Sequence, residues 1–235
     1  MRASMLEVAV RARRGDLLSC WAASHEDDGA APAARGRAAV FLDTDGTLVE
    51  DVPYNVDPAR LRFTPHALEA LALLSAAGLA LVVVSNQPGL ATGRFDRADL
   101  ARLQRALIAR LHAEAGVTLA GFNVCPHAPG NGGRPACTCR KPAPGLLRQA
   151  AHAHGIDLAG STMVGDILDD IEAAHRAGCA AVLLDVGNET EWRDAPLRRP
   201  DHRAPDLLAA ARWILARHER FARDDAASAR TVTGA

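Results

Sequence analysis

Three short apolar runs in this chain each stop on a polar residue, and that recurrence constrains the fold more than any other feature. Ala39–Leu42 leads into Asp43, Leu79–Val84 into Ser85, and Thr162–Val164 into Gly165 and Asp166. Runs this short, without polar alternation, read as strands buried on both faces. A weaker run, Phe122–Val124, and a strong one, Ala180–Val186, share the pattern. Segments of helical period lie between them. The first is expected from a Thr64 cap and Pro65 through Leu68, Leu71 and Leu74 to a stop at Gly78. The second runs from an Asp96 cap through Leu100, Leu103, Leu107 and Leu111 to Gly116. Leu146–His154, Asp169–Arg176 (stopped by Gly178) and Pro205–Ala222 complete the set. Strands alternating with helices predict an α/β fold, a parallel sheet with helices on both faces. Ligands in such sheets bind beyond the carboxyl ends of the strands, so Asp43, Ser85 and Asp166 are expected on one rim.

A chain of 235 residues with 49% hydrophobic and 23% charged content is long enough for one sizeable core and too apolar to be disordered throughout. Residues 38–222 are read as that domain, 1–37 as a flexible N-terminal extension with a low-complexity run at 29–37, and 223–235 as a tail. The first ten residues have the wrong charge pattern for a secretory signal. No apolar stretch reaches the ~20 residues of a membrane span. A net charge of -1 and 4% aromatic content argue against a nucleic-acid or membrane partner. The expectation is a cytoplasmic monomer acting on a small molecule.

The chemistry concentrates in a few positions. Asp43 and Asp45, two residues apart before Gly46, bring two carboxylates to one point, where a hard dication such as magnesium would relieve their repulsion. One could attack phosphorus while the other moves a proton. Asp166 adds a third carboxylate, with Asp169 and Asp170 close behind; Asp169 is read as a helix-start residue. Ser85 offers a hydroxyl. Lys141 is the only lysine among 27 basic residues, placed where a compact ammonium could meet a phosphoryl group. Cys125, His127, Cys137 and Cys139 form a Cys3His set at the spacing of a closed structural zinc site, while Cys20 and Cys179 lie elsewhere as free thiols.

The order DxDGT, Ser, Lys, GDxxxD from Asp43 to Asp170 resembles the haloacid-dehalogenase-like phosphohydrolases. The zinc loop, Ser85–Gln87 and Cys139–Pro142 are similar to the heptose bisphosphate 7-phosphatases and the related histidinol-phosphate phosphatases within them. The resemblance implies a Rossmann-like, capless core in which Asp43 becomes an aspartyl-phosphate and Asp45 is general acid and base. Magnesium would be held by Asp43, the Asp45 backbone carbonyl and Asp166. Ser85 and Lys141 would grip the phosphoryl group, supported by Asp170, and zinc would be structural. It marks Asp51, Tyr54, Asn86, Gln87 and Arg140 as substrate contacts. Thr44 and Ile167 depart from residues common in relatives, Arg and Lys respectively, and bear on which substrate is used. The implied reaction is heptose bisphosphate 7-phosphatase in nucleotide-heptose or lipopolysaccharide synthesis. Histidinol phosphate is the alternative, followed by polynucleotide 3′-phosphatase and an inactive zinc-stabilised interaction module.

Overall fold

The computed structural model describes residues 36–130 and 137–232. Its centre is β1 (Ala39–Leu42), flanked by β2 (Ala80–Asn86) and β4 (Thr162–Gly165). Beyond β2 lies β3 (Gly121–Cys125); beyond β4 lie β5 (Ala180–Leu184) and β6 (His202–Ala204). All neighbouring pairs are parallel, and the spatial order is β3-β2-β1-β4-β5-β6. This is the doubly wound order, whose reversal of strand order beside β1 opens a crevice at the carboxyl ends. Leu42 pairs with both Val83 and Val164, so the three central strands end level with one another. Asp43, Ser85 and Asp166 are thereby delivered to one rim.

Strand alternation divides the core into two layers. Val40 and Leu42 face α1 (Ala67–Ala76), α2 (Arg97–Ala115) and α5 (Leu207–Val232), with Leu71, Leu107 and Ile214 in that layer. Ala39 and Phe41 face α3 (Gly145–His154) and α4 (Leu168–Ala177), which contribute Leu147 and Ile171. Both faces are buried, as continuous apolar strands require.

Local chemistry accounts for the helix ends. Asp96 accepts from the Asp99 backbone at 2.8 Å and Asp99 accepts in return from Asp96 at 3.2 Å, a reciprocal cap for α2. Gly116 and Gly178 end α2 and α4 at φ 66° and 93°, where a side chain would be strained.

Some boundaries differ from the sequence expectation. α1 starts at Ala67, because Thr64 donates its hydroxyl to the Thr47 carbonyl at 2.7 Å instead of capping a helix. The Arg198–Arg203 stretch, which has no strand pattern in the sequence, runs into β6, and Arg198 is ion-paired with Asp169 and Glu172 at 2.9 and 2.8 Å. A three-residue edge strand leaves too little pattern to read. α5 continues to Val232, past the end expected at Ala222. Arg37, assigned to the extension, donates from its backbone to Gly155 at 3.1 Å. Residues 1–35 of that extension, Cys20 among them, lie outside the described residues, as do 131–136 of the cysteine loop.

Candidate active site

The turn after β1 is tight. Leu48 and Val49 both donate to the Thr44 carbonyl, and Gly46 donates to Val49 at 2.8 Å. Gly46 has φ 79°, and a Cβ there would fall 2.2 Å from Asp166 Oδ2, so glycine is required twice over. The turn sets Asp43 and Asp45 at the strand mouth beside Asp166, whose Oδ1 accepts from Thr47 Oγ1 at 3.2 Å.

Lys141 sits opposite, 2% exposed. Its ammonium reaches Asp43 Oδ1 at 2.5 Å, Asp170 Oδ1 at 2.7 Å and the Val84 carbonyl at 2.9 Å. Burial pulls its pKa down, but Asp170 and Asp43 outweigh burial and hold it above the ordinary lysine range. Its backbone is fixed by Asn86, whose Oδ1 accepts from Lys141 N and whose Nδ2 donates to Lys141 O, both at 3.1 Å. Gln87 donates to Asp45 Oδ2 and to Ser85 Oγ, each at 3.0 Å. Lys141 with Asp43 and Asp170, and Gln87 with Asp45 and Ser85, thus form two bonded groups that meet at the consecutive residues Asn86 and Gln87.

Burial first, then the Asp43 charge, pushes Asp45 from 3.8 to about 7. The same two causes raise Asp166 to about 6, and burial likewise pushes Asp170 upward. Crowded acids of this kind favour either a proton or a cation between them. Oxygens of Asp43, Asp166 and Asp170 lie within 4.8 Å of one another, an all-oxygen donor set of the type that suits magnesium. Asp43 and Asp170 both pair with Lys141, while Asp166 accepts from Thr47 and Asn188.

A second cluster stands behind Lys141. Sulfurs of Cys125, Cys137 and Cys139 are 3.3–3.6 Å apart, and His127 Nδ1 is 3.5 Å from Cys125 and 3.3 Å from Cys139. Metal–sulfur bonds of about 2.3 Å in a tetrahedron put sulfurs about 3.8 Å apart, so the set could hold a zinc ion with slight expansion. Hydrogen bonding from Cys139, against burial and aided by His127 and Cys137, lowers the Cys125 thiol to about 5, towards the thiolate a metal needs. Cys179 is remote from this cluster, and burial pushes it up to about 12.

The remaining sequence candidates are more peripheral. Arg140 donates its backbone to Cys137 Sγ at 3.3 Å and a guanidinium nitrogen to the His127 carbonyl at 3.4 Å, tying it to the thiol loop. Asp51 is exposed and lines a cavity of about 470 Å³ with Gly46, Glu50 and Asn188. Tyr54 is exposed in a left-handed conformation at φ 56°, with Arg94 5.1 Å from its ring centre. Thr44 and Gln104 are buried, and the Thr44 hydroxyl and both ends of the Gln104 carboxamide lack a hydrogen-bond partner among the described residues. Sequence reading missed Gln104 because it lies on the buried stripe of an otherwise leucine-lined helix. It also missed Asn188, which donates to Asp166 Oδ2 at 2.8 Å from a loop with no recognisable motif.

An acid pair at the end of a central strand, a buried lysine and a third acid after the adjacent strand define a haloacid-dehalogenase-like hydrolase. The HAD-hydrolase-like family model matches residues 138–210. The chain is 36% identical over 180 residues to D-glycero-β-D-manno-heptose-1,7-bisphosphate 7-phosphatase of Pseudomonas aeruginosa, covering 76% of this chain and 98% of that one. It is 41% identical over 150 residues to the enzyme of that name from Bordetella bronchiseptica, covering 63% and 81%. A crystal structure of D,D-heptose 1,7-bisphosphate phosphatase from B. bronchiseptica, complexed with magnesium and phosphate, superposes with a TM-score of 0.63 at 34% identity. That match covers 76% of this chain and 98% of that chain. The chain belongs to the heptose-1,7-bisphosphate 7-phosphatase family, and it is a phosphoric monoester hydrolase.

Proposed function

We propose that the protein removes the 7-phosphate of D-glycero-β-D-manno-heptose 1,7-bisphosphate in a magnesium-dependent reaction. The observation that carries this reading is the lone ammonium of Lys141, buried against Asp43 and Asp170 beside an Asp45 whose pKa stands at about 7. Asp43, Asp166 and the Asp45 carbonyl would hold the magnesium ion, which supplies charge neutralisation for the transferring phosphoryl group. An Asp43 oxygen attacks phosphorus and the bond from phosphorus to the sugar oxygen breaks. Asp45 gives its proton to that leaving oxygen. The resulting aspartyl-phosphate is cleared by water: Asp45 takes the water's proton as its oxygen attacks phosphorus, releasing phosphate and restoring Asp43. Lys141 and Ser85 stabilise the transferring oxygens. Asp51, Tyr54, Gln87 and Arg140 would contact the substrate, and Arg140 can pair its guanidinium with the second phosphate. Asn86 acts chiefly by holding the Lys141 backbone.

The thiol cluster takes zinc as a structural ion, fixing the loop that leads into Arg140 and Lys141. No helix among the described residues is long and apolar enough to cross a membrane. We place the enzyme in the cytoplasm, as a monomer acting on a small phosphorylated metabolite.

The test is phosphate release by purified protein with magnesium from heptose 1,7-bisphosphate and from histidinol phosphate. A kcat/KM at least about 100-fold higher for the heptose substrate is expected, a difference of ~2.7 kcal/mol in transition-state binding. Faster turnover of histidinol phosphate, or equally slow turnover of both, overturns the assignment.

A further inference from the structure

The loop after β5 carries a contact that the catalytic scheme above does not use. Asn188 Nδ2 donates to Asp166 Oδ2 at 2.8 Å, while Thr47 Oγ1 donates to Asp166 Oδ1 at 3.2 Å. A carboxylate that receives one donor on each oxygen loses its freedom to rotate about the Cβ–Cγ bond, and its remaining lone pairs are aimed. The packing is close: a Cβ on Gly46 would fall 2.5 Å from Asn188 Nδ2 as well as 2.2 Å from Asp166 Oδ2.

The next residue anchors the loop. Glu189 Oε2 accepts from the Leu168 backbone and Oε1 from the Glu191 backbone, both at 2.6 Å. Leu168 opens α4 two residues after Asp166, and the N-cap position is Ile167, whose side chain offers no acceptor. Glu189 therefore serves as a long-range cap with its charge at the favourable end of the helix. Two consecutive loop residues thus grip the carboxylate of Asp166 and the backbone just beyond it.

We infer that Asn188 is a positioning residue for magnesium, setting the plane of the Asp166 carboxylate and acting only through it. The inference does not depend on which sugar phosphate is hydrolysed, but it rests on the magnesium site proposed above.

Calorimetric titration of magnesium into magnesium-free, zinc-loaded protein tests it, with wild type compared to Asn188→Ala. The dissociation constant should rise about 10-fold or more in the variant, the usual cost of removing an outer partner of a metal ligand. At saturating magnesium kcat should return to within about 2-fold of wild type, a separation that a general loss of structure does not produce. Asn188→Ser, too short to reach Asp166, should behave in the same way and stands in if the alanine variant does not fold. Unchanged magnesium affinity in a folded variant overturns the role of Asn188. Failure of wild type itself to bind magnesium overturns the metal site instead, so the two failures are distinguishable.

Discussion

The carboxylate cluster and the thiol cluster are neighbours, yet they are held in place by different means. Asp43 and Asp166 leave adjacent strands of a sheet buried on both faces, and the positive charge that Asp43 and Asp170 require is already present in Lys141. Of the four residues in the thiol cluster, only Cys125 belongs to a strand; His127, Cys137 and Cys139 come from the loop between β3 and α3. In the proposed reading the first cluster is organised by the core and would be tuned by magnesium. In the second, Cys125 and Cys139 are buried in the core, and a zinc ion would order the loop that carries His127 and Cys137.

The largest effect expected from this contrast is catalytic. Asp43→Asn should lower kcat by about 10⁴-fold or more while leaving the melting temperature within a few degrees, measured by phosphate release and differential scanning calorimetry. Substantial residual activity would mean that the carboxylate cluster is not where the reaction occurs. Next in size is Cys139→Ser, which should lower the melting temperature by about 10 °C. It should also reduce kcat, since the Arg140 backbone is bonded to Cys137 and Lys141 follows directly. Equal thermal stability with and without a strong zinc chelator would erase the distinction between the two clusters.

The smallest effect concerns pH. Asp45 and Asp166 titrate in the folded protein at about 7 and about 6, above the unfolded value of 3.8. The folded state therefore binds more protons than the unfolded state between pH 4 and 7. The stability these groups contribute is complete below pH 4 and is lost as pH rises through 6 to 7. Magnesium favours the ionised acids, so its effect on the melting temperature should be a few degrees larger at pH 8 than at pH 5. The reverse order would show that the acids do not share the ion.

The catalytic rim was legible because it follows from strand length and a short turn. Asp43, Ser85 and Asp166 terminate apolar runs whose pairing is forced by burial, and Gly46 marks the turn. Lys141 stood out because every other basic residue is arginine. What could not be read is whatever depends on three-dimensional return of the chain. Thr64 has the right residue type for a helix cap, yet its hydroxyl donates to the Thr47 carbonyl and the N-cap position falls on His66. β6 is three residues long and exists only because β5 offers an edge. Asn188 and Glu189 carry no periodicity, and their partners lie 22 and 21 residues earlier in the chain.

The reciprocal pair between Asn86 and the Lys141 backbone joins residues 55 apart. Everything between them, α2, β3 and the cysteine segment, is consequently a detour sealed at its base. Insertions or deletions on its outer turns, such as the one between Gly116 and Ala120, can accumulate without displacing the ammonium, since the cost of lengthening a closed excursion grows only logarithmically. The outer turns can thus vary while the ammonium stays in register with the strand ends.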